Sequence, residues 1–442
     1  MHVSVIGCGY LGAVHAACMA ELGHTVVGLD TDAAKVEKLS QGVSPFYEPE
    51  FDELLRRNVE AGRLTFSTDY TDAVNAQIHF IGVGTPQREN GDGADLRYVD
   101  AATDALLEVL PTNPSTPILV AGKSTVPVGT AARLRDKFAA KGILVMWNPE
   151  FLREGFAVQD TLRPDRIVYG LPPEAAEADA ARSLLDECYA DLLEDGIPKV
   201  ETDFATAELV KVAANAFLAT KISFINAMSV LTDATGGDVK KLAEAIGHDD
   251  RIGKKFLRAG IGFGGGCLPK DIRAFMARAD ELGVGESLEF LRDIDTINTR
   301  QRERAVEKLA QALGGSLAGK RIAVLGQAFK PDSDDIRDSP AVDIAGRVIK
   351  AGANVVAFDP KAGDVVRRFL PDRSVVDSLE AAVEGADAVM VLTEWKQFQE
   401  LDPAVISDRV SNRIVVDGRN CLDPQRWQEA SWQYIGMGRA AN

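Results

Sequence analysis

The stretch that decides the fold is HVSVIGCGYLG, residues 2–12, in which a short apolar run leads into three glycines spaced G-x-G-x-x-G. Glycines at this spacing allow a tight turn and let the backbone approach a pyrophosphate at the start of a helix. The next apolar run, residues 25–29, ends at Asp30, whose carboxylate is placed to bind a ribose and to repel a 2′-phosphate. The stretch therefore predicts a dinucleotide site selective for NAD; the alternative is a purely structural turn.

Apolar runs of strand length recur along the chain. Residues 78–83, 118–121 and 143–147 are such runs, and helical patterns separate them, as in a doubly wound parallel sheet. The opening pattern then returns: residues 320–326 end at a glycine, and residues 354–359 form a second run that ends in an acid. Because this second unit lacks the full glycine spacing, we expect it to bind a different nucleotide.

Between the two α/β regions the apolar pattern changes. From about Asp203 to Thr235 apolar residues occupy nearly every face at helical spacing, which is typical of a helix buried on several sides. We expect a long central helix that is shared with a second subunit. The predicted fold is thus α/β, with two Rossmann-like doubly wound domains joined by a central helical region, and its domains span residues 1–200, 201–314 and 315–442.

The composition is that of a soluble globular protein: 442 residues, 46% hydrophobic and 26% charged, a length that indicates two or three domains. A formal net charge of −17 argues against a partner bound through nucleic-acid phosphates. The sequence shows no run of about 20 apolar residues and no signal-peptide pattern, so we expect no membrane span and a cytoplasmic location. The five cysteines lack metal-ligand spacing, so no metal site is expected, and they suit a reducing compartment: Cys8, Cys18, Cys188, Cys267 and Cys421.

The most informative segment is GIGFGGGCLPKD, residues 260–271. So many glycines leave little side-chain packing and indicate a backbone shaped around a ligand. Pro269 suits the first turn of a helix, which would place Cys267 at or just before the N-terminus, where the helix dipole and Lys270 favour the thiolate. Asp271 lies one helical turn beyond Cys267 and could hold a water. Cys267 is therefore a candidate nucleophile; the alternative is a small residue buried in a tight loop.

Two further positions carry polar side chains where the pattern is otherwise apolar or loop-like. Lys211 and Asn215 lie four residues apart on the predicted central helix and share a face. Because burying unpaired polar groups is costly, both need partners, and pairing with Glu208 would make them an ordinary salt-bridged stripe. Glu150 follows a strand, where open α/β sheets place ligands, and is a candidate base; the alternative is a solvated loop carboxylate. Residues 123–129 follow another strand and offer a hydroxyl near the same crevice.

Several motifs, in one order over essentially the whole chain, resemble the UDP-glucose/GDP-mannose dehydrogenase family, and most of all its members that oxidise UDP-glucose. The resemblance implies conversion of UDP-glucose to UDP-glucuronate with two NAD+, through a thiohemiacetal and a thioester on Cys267. GDP-mannose or another UDP-sugar is the alternative substrate, because Gly266 and Leu268 depart from the commonest pattern. A non-catalytic NAD-binding regulatory protein is the alternative of a different class. The motifs are Gly7–Gly12, Gly82–Pro86, Ser124–Gly129, Asn148–Gly155, Glu208–Asn215, Phe263–Asp271 and Ala328–Lys330.

The same resemblance implies roles and an assembly. Lys211 and a water held by Asp271 would take the first proton or stabilise the oxyanion. Glu150, through Thr125 and water, would be the base for hydrolysis of the thioester. Family members are commonly dimers or larger assemblies built on the central helix, so a homodimer or higher homo-oligomer is implied, in which Arg251 reaches the substrate of a neighbouring subunit.

The resemblance also assigns residues to each ligand, although the last-domain charges Lys330, Arg337 and Arg419 would each alone be ordinary surface groups. The implied catalytic residues are Cys267, Lys211, Asn215, Asp271, Glu150 and Thr125. The implied NAD contacts are Gly7, Gly9, Tyr10, Leu11, Gly12, Asp30, Lys35, Thr85, Thr125, Glu154, Lys270 and Arg337. The implied substrate contacts are Glu150, Phe151, Leu152, Arg153, Lys211, Asn215, Arg251, Phe256, Leu257, Arg258, Ala259, Gly260, Phe263, Gly264, Lys330 and Arg419.

Overall fold

The computed structural model describes residues 1–439 of the chain. The chain forms two compact units. Unit 1 comprises Met1–Ala214 and Arg273–Gly283, and unit 2 comprises Asn215–Ile272 and Val284–Asn442. The division between them falls inside the long central helix, so these units are not the three predicted segments, whose bounds at residues 200 and 314 stay a prediction.

Unit 1 is built on an eight-stranded sheet. Its strand order is β3-β2-β1-β4-β5-β6-β7-β8, and all neighbours are parallel except β6 and β7, which are antiparallel. The first six strands have the order 3-2-1-4-5-6, which is typical of dinucleotide-binding sheets. The strands are β1 (His2–Ile6), β2 (Thr25–Leu29), β3 (Leu64–Ser67), β4 (Ile78–Ile81), β5 (Leu119–Gly122), β6 (Leu144–Trp147), β7 (Ile167–Leu171) and β8 (Lys199–Asp203).

Helices cover both faces of this sheet and bury two apolar clusters, one on each side. The first helix is buried along its length from Gly12 to Ala20, because its small residues let it approach the strands closely. The helices are α1 (Tyr10–Glu21), α2 (Ala33–Ser40), α3 (Phe51–Glu60), α4 (Arg97–Val109), α5 (Thr130–Ala139), α6 (Ala157–Leu162), α7 (Ala175–Cys188) and α8 (Ala190–Glu194), with a 3-10 turn at Tyr70–Ala73.

The predicted long central helix is α9, Phe204–Thr235, with 32 residues. By length and composition α9 alone, among the described residues, could cross a membrane, so the expectation that no such stretch exists was too strict. A core helix of a soluble protein passes the same test, and α9 buries polar side chains such as Glu208, Lys211 and Asn226. The helices that follow are α10 (Val239–Gly247), α11 (Leu268–Glu281) and α12 (Phe290–Ala312), with a 3-10 turn at Gly285–Leu288.

Unit 2 contains a second, five-stranded parallel sheet with the order β10-β9-β11-β12-β13. This is the other common order of doubly wound sheets, 2-1-3-4-5, so the predicted α/β fold with two Rossmann-like regions and a long central helix is confirmed. The strands are β9 (Arg321–Leu325), β10 (Asn354–Phe358), β11 (Ala388–Val391), β12 (Ile414–Asp417) and β13 (Gln433–Gly436). The helices are α13 (Pro340–Lys350), α14 (Gly363–Phe369), α15 (Leu379–Val383), α16 (Lys396–Gln399), α17 (Pro403–Ile406) and α18 (Pro424–Glu429).

The acid after the second strand of this sheet, Asp359, is buried within the protein. Its Oδ2 accepts hydrogen bonds from the backbone amides of Gln327 at 2.6 Å and Ala328 at 2.9 Å, and from Trp395 Nε1 at 3.2 Å. The side chain therefore closes the turn after β9 from inside. That this second region binds a different nucleotide stays a prediction at this point.

Candidate active site

The glycine loop of unit 1 has the shape of a cradle for a pyrophosphate. Gly7 has a φ of 89°, and a Cβ on Gly12 would lie 1.8 Å from the carbonyl oxygen of Gly7, so neither position tolerates a side chain. A Cβ on Gly9, in contrast, would meet no atom within 4 Å. Neighbouring atoms therefore crowd the loop at Gly7 and Gly12, whereas the space beside Gly9 is empty. Because α1 begins at Tyr10, directly after this opening, the loop fits the phosphates of NAD at a helix N-terminus.

Asp30 closes the other side of this cradle. Its Oδ2 accepts from the Cys8 amide and from Lys35 Nζ, both at 2.9 Å, and its Oδ1 accepts from the Asp32 amide at 3.0 Å. The carboxylate therefore anchors the glycine loop as well as presenting a negative charge beside it. Two predicted NAD contacts, Asp30 and Lys35, form one ion pair.

The loops after β4 and β5 are joined at the carboxyl edge of the sheet. Thr85 Oγ1 donates to the Thr125 carbonyl at 2.7 Å, and Ser124 Oγ donates to the Val83 carbonyl at 2.7 Å. Open α/β sheets bind their ligands at this edge. The structure therefore brings together two of the residues that the family resemblance assigns to NAD, Thr85 and Thr125.

Glu208 holds the end of the Thr125 loop. Its two carboxylate oxygens accept from the amides of Gly129 and Ala131, both at 2.7 Å, at the start of α5. Arg278 Nη2 donates to the carbonyl of Val128 at 2.8 Å in the same loop. Glu208 was considered as a partner of Lys211; the structure gives it this capping role instead. Burial raises the pKa of Glu208 to about 7, although the backbone amides oppose the shift.

Glu208 makes the stability of the fold depend on pH. The unfolded chain releases this proton near the ordinary pKa of 4.5, but the folded chain keeps it up to about 7, so the folded state binds more protons in between. Stability therefore falls as pH rises through that window, by on the order of 2 kcal/mol between pH 5 and pH 8. The free energies of unfolding of wild type and Glu208→Gln can be measured with urea at pH 5 and at pH 8. Their difference should change by this amount between the two pH values, and pH profiles of stability that run parallel would contradict the prediction.

Glu150 in unit 1 is a largely buried carboxylate that is paired with a cation. Its Oε1 lies 2.9 Å from Lys211 Nζ, and the two side chains are 13% and 7% exposed. Its Oε2 accepts from the Leu152 amide at 2.7 Å. The Lys211 ammonium also lies 5.7 Å from the ring centre of Phe151. The structure thus brings together four of the predicted substrate residues.

The remainder of the Glu150–Gly155 loop is held by contacts within unit 1. The Arg166 guanidinium stacks 3.8 Å from the ring centre of Phe151. Arg153 binds Asp160 through Nη2 at 2.6 Å and Nε at 2.8 Å, so this predicted substrate contact is already paired. The loop is therefore a fixed structure in which both ends are tied to neighbouring elements.

In unit 2, Cys267 lies directly before α11 with its side chain exposed. The Asp271 amide donates to the Cys267 carbonyl at 2.9 Å, which closes the first helical turn. Asn215 Nδ2 donates to Asp271 Oδ2 at 2.7 Å, and Lys270 Nζ pairs with Asp271 Oδ1. Asp271 is only 2% exposed. A buried carboxylate with two polar partners thus lies one turn after the thiol, as the spacing suggested.

The glycines before Cys267 are required by close packing within unit 2. A Cβ on Gly264 would lie 2.2 Å from the Asp338 carbonyl oxygen, and a Cβ on Gly265 would lie 2.7 Å from the Phe329 ring. A Cβ on Gly266 would lie 2.4 Å from the guanidinium carbon of Arg337. Gly266, where this chain departs from the commonest family pattern, therefore leaves room for Arg337 beside the cysteine.

Two residues of α12 that the sequence did not single out hold this glycine run. Asn298 Oδ1 accepts from the Phe263 amide at 2.8 Å, and its Nδ2 donates to the Phe263 carbonyl at 3.0 Å. Arg302 Nη2 donates to the same carbonyl at 3.3 Å, and Arg302 pairs with Asp338. Both side chains are buried and lie four residues apart on one helix. The sequence offered one signal for this role: an Asn and an Arg spaced four residues apart, which places them on one face of α12.

Arg419 lies after β12 and orders the carboxyl edge of the second sheet. It donates to the carbonyls of Leu392, Gly262 and Phe329 at 2.8, 2.9 and 2.9 Å. It also pairs with Glu394 at 3.3 Å. The guanidinium donors of Arg419 thus bind backbone carbonyls of the protein. They lie near the point between β9 and β11 at which the strand order of the sheet reverses. The predicted contact of Arg419 with substrate, like that of Lys330, stays a prediction.

The remaining predicted substrate residues lie in unit 2, on the segment before the glycine run. Arg251 is 89% exposed along its side chain and pairs with Asp249. Phe256 has a φ of 64°, which is strained for an aromatic residue and is typical of ligand sites. Asn226 Oδ1 accepts from the Gly260 amide at 2.9 Å and fixes the end of the segment. Among the described residues, no group of three His, Cys, Asp or Glu side chains is arranged to hold a metal.

Comparison with known proteins covers the whole chain. Models of the UDP-glucose/GDP-mannose dehydrogenase family match in three parts: the NAD binding domain over residues 1–192, the central domain over residues 205–300 and the UDP binding domain over residues 323–424. The UDP-glucose 6-dehydrogenase YwqF of Bacillus subtilis is 39% identical over 448 residues, which span 100% of this chain and 98% of the relative.

Solved structures agree with this match. A UDP-glucose dehydrogenase from the hyperthermophilic archaeon Pyrobaculum islandicum has a TM-score of 0.88 at 38% identity, and the match covers 99% of this chain and 98% of that one. A UDP-D-ManNAc dehydrogenase from Pyrococcus horikoshii has a TM-score of 0.85 at 27% identity, with 100% of both chains covered. The predicted resemblance and the NAD cofactor are confirmed. The chain therefore belongs to the UDP-glucose/GDP-mannose dehydrogenase family.

Proposed function

We propose that the chain is an NAD-dependent UDP-glucose 6-dehydrogenase, which oxidises the C6 hydroxymethyl group of UDP-glucose to the carboxylate of UDP-glucuronate. The observation that carries the chemistry is the exposed thiol of Cys267, one helical turn before the buried Asp271, which binds Asn215 and Lys270. The substrate follows from relatives of this name that match along the full length of the chain. NAD+, when bound, accepts hydride from the sugar carbon.

The first oxidation requires a group that takes the hydroxyl proton or stabilises the alkoxide. The proposal assigns this role to Lys211 and to a water held by Asp271. Lys211 suits the role because it is a buried cation with a fixed carboxylate partner, Glu150, at 2.9 Å. The product of this step is an aldehyde at C6.

The second oxidation requires an adduct, because an aldehyde lacks an oxyanion beside its C–H bond until a nucleophile adds to it. The proposal has the Cys267 thiolate add to the aldehyde carbon, so that the thiohemiacetal loses hydride to a second NAD+ and becomes a thioester. Water then hydrolyses the thioester, with Glu150, through Thr125 and water, as the base. Two NAD+ and one water are consumed, and one carboxylate is formed with release of the thiol.

A substrate panel with a count of NADH per sugar tests this proposal. UDP-glucose, GDP-mannose and UDP-N-acetylmannosamine are each supplied in limiting amount with excess NAD+. We expect UDP-glucose to be turned over best and to yield two NADH per sugar. Faster turnover of another sugar nucleotide would move the substrate assignment within the family. Absence of NADH with every sugar would favour a regulatory NAD-binding protein instead.

Asp30 is expected to make the enzyme selective for NAD+. A 2′-phosphate at the adenosine ribose would place negative charge beside this carboxylate, so we expect kcat/KM with NADP+ to be at least about 100-fold lower. Asp30→Asn should narrow this gap, since it removes the charge but keeps an oxygen that accepts from the Cys8 amide. Comparable kcat/KM values with the two cofactors in the wild-type protein would contradict the assignment.

The proposal includes a homodimer, or a larger homo-oligomer, built on α9. Its unit 2 part exposes an apolar stripe at heptad spacing, with Phe217, Phe224 and Leu231 exposed by 67%, 49% and 55%. Such a stripe is typical of a surface that another helix covers. Light scattering of the purified chain should give at least twice the monomer mass of 47.5 kDa, and a monomer at micromolar concentration would contradict this. A cytoplasmic location is part of the same proposal.

A further inference from the structure

Glu48 connects two segments of unit 1 and was not among the predicted site residues. It lies between α2 and α3 and is 4% exposed. Its Oε2 accepts from the Gly155 amide at 2.6 Å and from the Tyr10 hydroxyl, and its Oε1 accepts from the Ala157 amide at 2.7 Å. The Gly155 amide also donates to the Tyr10 hydroxyl at 3.0 Å. One buried carboxylate thus holds the first residue of α1 and the chain that enters α6.

The entry into α6 depends on this carboxylate. Phe156 occupies the N-cap position of α6 but makes no capping hydrogen bond with its side chain, so Glu48 supplies the acceptors from a segment more than 100 residues away. A helix start favours a negative charge. Helix α6 also buries Ala157 and Val158 in the apolar cluster that contains the buried residues of α1. The end of the Glu150–Gly155 loop is therefore fixed to the helix that follows the glycine loop.

We infer that Glu48 is a positioning residue for the oxidation, which sets the Glu150–Gly155 loop relative to Tyr10 at the edge of the NAD cradle. The inference rests on the proposed function and on the NAD contacts that the family resemblance implies for Tyr10 and Glu154. Glu48 acts through the Tyr10 hydroxyl and through the amides of Gly155 and Ala157. Glu154, a predicted NAD contact, directly precedes Gly155. When the Gly155 amide loses its bond to Glu48, the position of Glu154 is therefore no longer fixed.

Glu48→Gln tests the inference with almost no change in volume. A glutamine has one acceptor oxygen where the carboxylate has two. Its NH2 group therefore either leaves the Ala157 amide without this acceptor or leaves the Gly155 amide with only the Tyr10 hydroxyl. Leaving a buried donor unsatisfied is costly, and we expect KM for NAD+ to rise about tenfold, with a smaller change in kcat. In the protein without ligand, we expect amide hydrogen exchange of the peptide 150–162 to become about tenfold faster.

Matched variants of the full-length chain isolate the effect. Tyr10→Phe removes one donor but leaves the carboxylate on both amides, so KM for NAD+ should rise only about threefold. The double variant Glu48→Gln/Tyr10→Phe should be less impaired than the product of the single effects, because the two groups act through one contact. Glu60→Gln removes an exposed acid from α3 and should leave KM and exchange at the wild-type values.

Three outcomes overturn the inference. The first is wild-type exchange of residues 150–162 and wild-type KM in Glu48→Gln. The second is a lower Tm with unchanged KM, which would make Glu48 merely structural. If Glu48→Gln fails to fold, Tyr10→Phe and Glu48→Asp are measured in its place. The third outcome is that both of these variants keep wild-type KM for NAD+ and wild-type amide exchange of residues 150–162. The count of two NADH per sugar is independent of these readouts, so failure of the proposed function is recognised separately.

Discussion

Cys267→Ser is expected to lower kcat for the complete oxidation of UDP-glucose by at least about a thousandfold, because a serine hydroxyl is a far weaker nucleophile than a thiolate at neutral pH. The side chain is exposed and precedes α11, so the change leaves the core intact. NAD+ affinity should therefore remain within about twofold of wild type, as measured by titration calorimetry, while stopped-flow absorbance shows at most one NADH per active site.

The control for this prediction is Cys421→Ser, which removes another thiol from unit 2. Burial raises the pKa of the Cys421 thiol, and its sulfur lies 3.6 Å from Asp417 Oδ1, so it is poorly suited to attack a substrate. We expect nearly wild-type kcat for this variant. Steady production of two NADH per sugar by Cys267→Ser would contradict a covalent role for Cys267. Loss of activity in both variants would point to a general sensitivity of unit 2.

The sequence predicts those parts of the fold whose physics is local. The glycine loop and Asp30 are recognisable because a turn, a helix start and an acid lie within 30 residues. Strand β8, in contrast, was not identified, since Lys199–Asp203 is an edge strand whose side chains are mostly solvent-accessible. Such a strand lacks an apolar run, and charged residues on it discourage edge pairing. Its strand character comes from pairing with β7.

The partners of the buried polar residues could not be read from the sequence. Helical spacing placed Lys211 and Glu208 near each other, but their carboxylate and amide partners lie 61 and 77 to 79 residues away along the chain. The same holds for Asn298, whose partner Phe263 is 35 residues distant. Local periodicity shows which residues lie on one face of a helix. Only tertiary packing decides which partners their side chains contact. The resemblance to a family supplied candidate roles, but not these contacts.

Lys211→Met is expected to impair both stability and activity. Removing the ammonium leaves the Glu150 carboxylate buried without its cation, and breaking a buried ion pair in this way costs about 3–5 kcal/mol. The free energy of unfolding, measured with urea, should fall by that amount at neutral pH. The kcat should fall at least about a hundredfold, because the group proposed to stabilise the alkoxide is lost.

The double variant Lys211→Met/Glu150→Gln separates the two effects. Glutamine carries no charge, so nothing remains to be neutralised, and its oxygen can still accept from the Leu152 amide. We therefore expect most of the lost stability to return, since replacing a buried ion pair by neutral groups is often nearly neutral. The kcat should stay as low as in the single variant, or lower, because neither proposed proton-handling group is present. Recovery of kcat together with stability would show that the pair only supports the fold, and the catalytic assignments of Lys211 and Glu150 would then be wrong.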